Sequence, residues 1–96
     1  MANPRGGVRR VSVDVLEADA DIGFSLVDMA EAERRIEDFV AASRALQEAE
    51  NVYSDIKVEM TRLSGDQCAG LVGLLGELRR AIDAAQRRAV PNKAES

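Results

Sequence analysis

The hydrophobic pattern of the chain changes period twice. Val11, Val13 and Val15 alternate with Ser12 and Asp14, a two-residue repeat of β-branched positions that predicts a short extended segment. Further on the spacing becomes helical, with Ala32, Ile36, Phe39, Ser43, Leu46, Tyr53, Ile56, Met60 and Leu63 recurring at intervals of three, four or seven. Ser25 is a suitable N-cap for this stripe: Asp28 can reach back to it, and Phe24 with Met29 can form a hydrophobic staple. No Gly or Pro lies between Ser25 and Ser64. The pattern therefore predicts one continuous helix over 25–63, whose buried face shifts near Glu50 and Asn51 as Ala49, Ile56 and Leu63 take over from Ile36 and Ser43.

Ser64-Gly65-Asp66-Gln67 is the clearest punctuation: a turn followed by a capping box, with Ser64 and Gln67 as its two members. After it, Cys68, Leu71, Leu75, Leu78, Ile82, Ala85 and Ala89 follow a strict three-four alternation that ends before Pro91. The short turn makes the two helices antiparallel neighbours. Their lengths differ. The first would span roughly 58 Å at 1.5 Å per residue, much more than the second, leaving Ile36 and Phe39 to be covered by a second chain or by the Val11–Val15 arm. The expected fold is all-α: an antiparallel helical hairpin with a long first helix, a shorter second and an extended N-terminal arm. A second copy would cover the excess, giving a homodimeric four-helix bundle. The expected boundaries are an arm with an acidic connector over 1–24, the hairpin over 25–90 and a tail over 91–96.

Composition narrows what such a hairpin could do. The 96 residues contain no His and no Trp, one Cys, and only 3% aromatics. The commonest general base and histidine-centred metal sites are thus missing, and one Cys forms no internal disulfide. Eleven of the thirteen basic residues are Arg, and Ala is abundant, a bias typical of a GC-rich bacterial or phage genome. The longest apolar run, Cys68 to Gly76, is far short of a membrane span, and no signal-peptide pattern opens the chain. A cytoplasmic location with no membrane partner is expected.

The net charge of −4 opposes general nucleic-acid binding, although Arg5, Arg9 and Arg10 form a basic start that could grip phosphates. Glu17, Asp19, Asp21, Ser25 and Asp28 place oxygen ligands at positions 1, 3, 5, 9 and 12 of a twelve-residue stretch, which resembles the calcium loop of EF-hand proteins. It departs from that loop in having Ile22 at the position of the turn glycine, with Gly23 one place late. Gly70, Gly73 and Gly76 recur every three residues in the second helix, opposite its Leu seam, where another backbone could approach closely. Arg35, Arg44, Lys57 and Gln86 are similar in kind to the residues that small all-helical chorismate mutases use, without a matching local motif. Cys68 at a helix start lacks a His partner for nucleophilic chemistry.

The sequence thus points to a non-enzymatic protein–protein interaction or assembly module without a cofactor. Ile36, Phe39, Gly70, Gly73 and Gly76 are its candidate interface residues. The expected partners are a second copy and another protein. The alternative is a nucleic-acid-associated regulator that uses the basic N-terminal arm.

Overall fold

Ser12 caps the first helix. Its backbone is extended and its Oγ accepts a hydrogen bond from the Val15 amide at 3.2 Å, satisfying one of the free donors at a helix start. From this cap the first helix, α1, runs over Val13–Arg35. The computed structural model describes residues 12–89. It contains two further helices, α2 over Phe39–Met60 and α3 over Gly65–Ala89, and no strand among the described residues.

The fold is therefore all-α as expected, but it has three helices instead of a two-helix hairpin. Val13 and Val15 form the first turn of α1 and not an extended arm, while Val11 lies outside the described residues. The acidic stretch from Glu17 to Asp21 is helical, and Ser25 sits mid-helix instead of capping one. The reason is a second helical stripe upstream. Leu16, Ala20, Gly23, Val27 and Ala30 recur at four-three-four-three spacing and are all buried.

The predicted 39-residue helix breaks at residues 36–38 without Gly or Pro. Glu37 adopts φ = 64°, the left-handed conformation. Its amide donates to the Arg34 carbonyl at 2.9 Å, and the Asp38 amide donates to the Glu33 carbonyl at 2.8 Å. These two bonds make a Schellman motif, which ends α1 and reverses the chain. Asp38 then caps α2, its side chain accepting from the Ala41 amide at 3.1 Å. The helix is continuous through Glu50 and Asn51, as the stripe predicted.

The turn after α2 follows the sequence closely. Gln67 Oε1 accepts from the Ser64 amide at 3.0 Å and Ser64 Oγ accepts from the Gln67 amide at 3.2 Å, a reciprocal capping box. Gly65 has no positive φ and opens α3. Cys68 Sγ lies 3.4 Å from the Met60 carbonyl oxygen, donating to one of the last carbonyls of α2.

Burial completes the picture. Leu71, Leu75, Leu78, Ile82 and Ala85 of the α3 seam pack with Leu46, Ala49 and Ile56 of α2 and with the buried stripe of α1. Because α1 folds back along α2, Ala42, Ala45 and Leu46 are covered within one chain. The length mismatch that called for a second copy is absent from this topology. The closest approach is at Gly23: a methyl group there would stand 2.9 Å from Leu78 Cδ2 and 3.5 Å from Val52 Cγ1. Gly23 thus lets the backbone of α1 settle against both other helices at once.

Candidate functional site

Two grooves flank α2, and they differ in chemistry. The first lies between α2 and α3, has a volume of about 380 Å³, and is lined by Tyr53, Lys57, Met60, Thr61, Val72, Leu75 and Gly76. Helical spacing builds it. Tyr53, Lys57 and Met60 occupy one face of α2, and Val72 and Gly76 lie one turn apart on α3. Where α3 carries no side chain, at Gly76, the groove wall falls away. Lys57 stands over the Tyr53 ring at 5.7 Å from its centroid, so a cation edges an otherwise apolar trough. Arg80 approaches the same wall: its Nη1 is the nearest neighbour of Gly76 in this region, 3.6 Å from where a Cβ would stand.

The groove ends on a polar cluster. Arg79 donates to both carboxylate oxygens of Glu50, at 3.0 and 2.8 Å, and from Nε and Nη2 to Asp83 Oδ1, at 3.0 and 2.7 Å. Gln86 Nε2 donates to Glu50 Oε2 at 2.8 Å, and the Arg79 guanidinium lies 4.8 Å from the Tyr53 ring centroid. The hydrogen bonds from Arg79 hold the Glu50 carboxyl below its ordinary range against the opposing effect of partial burial, and Gln86 adds to the lowering. Glu50 and Asp83 in turn keep Arg79 firmly cationic. Chemically the cluster is a closed brace between α2 and α3, since its donors and acceptors answer one another. A second brace joins the end of α3 to α1, where Arg88 pairs with Glu31, to which Arg34 also lies close. That pairing likewise lowers the Glu31 carboxyl.

The second groove lies between α1 and α2, about 410 Å³, lined by Asp19, Ile22, Val52, Asp55 and Glu59. It is acidic where the first is cationic. Among the described residues no group of three or more His, Cys, Asp and Glu is placed to hold a metal ion.

The residues singled out in the sequence are distributed as follows. Glu17, Asp19, Asp21, Ser25 and Asp28 lie along a regular helix, not a loop, so Asp19 faces the acidic groove while the others occupy the outer side of α1. A helix rises and rotates between them, and they do not converge as the ligands of a calcium loop would. Ile36 and Phe39 flank the α1–α2 turn and are 74% and 54% exposed, joined there by Val40 at 70%. Among the described residues nothing lies within 4 Å of a would-be Cβ at Gly70 or Gly73, and Gly76 lines the α2–α3 groove. The basic Arg5, Arg9 and Arg10 lie outside the described residues. Arg44 and Lys57 share α2 but stand roughly 20 Å apart along its axis, and Gln86 is engaged with Glu50, so these polar residues form no common pocket. The Tyr53–Arg79 stack and the Val72 wall were not singled out in the sequence. The seven-residue step from Glu50 to Lys57 around Tyr53, facing the Arg pair of α3, is the signal that carried them.

No helix among the described residues is long and apolar enough to cross a membrane. The described residues form a three-helix antiparallel bundle with a cationic-apolar groove and an acidic groove. Compared with known proteins, it matches no family model, no curated protein and no solved structure.

Proposed function

We propose that this chain is a non-enzymatic protein–protein interaction or assembly module whose partners include further copies of itself. The observation that carries this reading is the apolar outer stripe of α1 and its continuation at the turn. Ile22, Met29 and Ile36 recur every seven residues and are 53%, 48% and 74% exposed, and Phe39 and Val40 extend the stripe onto α2. Large apolar side chains aligned on one solvent face are the mark of a surface that another protein covers. The polar side chains that do converge, around Arg79, are engaged with each other and support bracing, not catalysis.

Site-specific photocrosslinking tests the reading. A photoreactive residue placed at position 36 of the full chain, in the cell that makes it, should give covalent adducts of discrete mass with a protein or a second copy. A control at exposed Glu48 should give far fewer. Equal or absent crosslinking at both positions contradicts an interaction role for this face.

A further inference from the structure

Resting on the interaction reading above, we infer that the outer face of α1 in one copy docks into the α2–α3 groove of a second copy, so that the chain associates head to tail. The two surfaces are complementary in shape. The groove is an open trough floored by Leu75 and Met60, and it exposes Val72 along one wall. Such a trough cannot enclose a small molecule on most sides, as small-ligand sites do. It accommodates a helix, the arrangement that α1 itself adopts on the opposite side of the α2–α3 layer. Gly76 lowers one wall, and the end of the Arg80 side chain stands over it, 3.6 Å from a would-be Cβ.

They are also complementary in charge. Lys57 on α2 and Arg80 on α3 edge the two walls, and neither forms an ion pair with a carboxylate among the described residues; Arg79 between them is already paired with Glu50 and Asp83. The occupant must therefore bring its own negative charge beside an apolar ridge. The exposed side of α1 has that composition: Met29 and Ile22, the latter at the rim of the α1–α2 groove, form the ridge, and exposed Asp21 and Asp28 lie about 100° around the helix from them. The α1 segment carries seven acids against two bases, Arg34 and Arg35, both in its last turn. Asp21 and Asp28 stand roughly 10 Å apart along the helix, on the same side of it.

Ridge and trough lie on different sides of the bundle, since the groove is lined by α2 and α3 alone. A two-fold dimer cannot bury both. The contact is heterologous, and the homodimer expected from the sequence becomes the first step of a series that grows with concentration.

The experiment is sedimentation velocity on the full chain and three variants, with circular dichroism to verify helicity. The wild type should show a mass that rises past the dimer as concentration increases. Asp21→Lys with Asp28→Lys, and separately Lys57→Glu with Arg80→Glu, should each weaken self-association by roughly 100-fold or more, because like charges then face each other. Mixed in equal amounts, the two reversed variants should associate again. Gly76→Leu, which fills the trough without a change of charge and whose Cβ would stand at an ordinary 3.6 Å from Arg80 Nη1, should abolish association with helicity intact. A wild type that associates while either reversal leaves it unaffected, or a mixture that stays dissociated, overturns this docking and leaves the interaction reading standing. A mass that stops at the dimer overturns the head-to-tail geometry. A wild type monomeric at every concentration overturns the docking, and crosslinks from position 36 to other proteins alone would then separate that failure from failure of the interaction role.

Discussion

Glycine occupies two very different places in this bundle. Gly23 is buried in α1, where a single added methyl group would press on Leu78, which is itself fully buried. Gly70 and Gly73 sit on the outward face of α3 with open space around them. Both cost their helices backbone entropy, about 1 kcal/mol each relative to Ala. At Gly23 that cost is offset by the close approach of three helices. At Gly70 and Gly73 no neighbour among the described residues offsets it. A glycine repeat is thus less informative than a lone glycine set within a stripe of buried small residues.

The comparison can be broken at its packed side first. Leu78 is the residue against which Gly23 rests, and Leu78→Ala should destabilise the bundle by about 3 kcal/mol or more, read by urea denaturation. Gly23→Ala adds helix propensity but must displace Leu78, and a net loss of about 1–2 kcal/mol is expected from the same measurement. If Gly23→Ala is instead stabilising, α1 does not pack as closely as described. The polar brace ranks next. Glu50→Ala should cost about 1–2 kcal/mol, since it leaves Arg79 with one carboxylate and strips Gln86 of its acceptor. The sign of its pH dependence follows from the lowered Glu50 carboxyl. Glu50 contributes fully above its unfolded pKa of about 4.3, and the contribution is lost as pH falls through its lower folded value. Chemical denaturation between pH 7 and pH 3 should therefore show a steeper acid loss in the wild type than in Glu50→Gln. The smallest effect lies on the open side: Gly73→Ala should raise stability by about 0.5–1 kcal/mol.

What could be read from the sequence depended on how local the signal was. The α3 seam from Leu71 to Ala85 and the Ser64–Gln67 capping box are written within one or two helical turns, and they emerge as expected. The break between α1 and α2 is not written that way. Ala32, Ile36 and Phe39 keep helical spacing straight across it, and Glu37 takes a left-handed conformation usually held by glycine. The favourable gain is tertiary, because reversal there lets Leu16, Ala20, Gly23, Val27 and Ala30 close the core. Those five residues were legible as a stripe, but Val13 and Val15 beside Ser12 also fit an extended segment, and the acidic residues between them masked the helix. The candidate site was visible only in part. Ile36, Phe39 and Gly76 lie on the surfaces described above, whereas the cationic edge of the trough depends on α2 and α3 meeting in a register that neither stripe specifies alone.

The central claim is that α1 belongs to the core as its third helix. Native-state hydrogen exchange of the full chain tests it most directly, because buried helices that unfold together share one opening free energy. The amides of Ala20, Gly23 and Val27 should exchange with the same protection as those of Leu78 and Ile82. Protection of α1 that is lower by orders of magnitude, with α2 and α3 still protected, would contradict it.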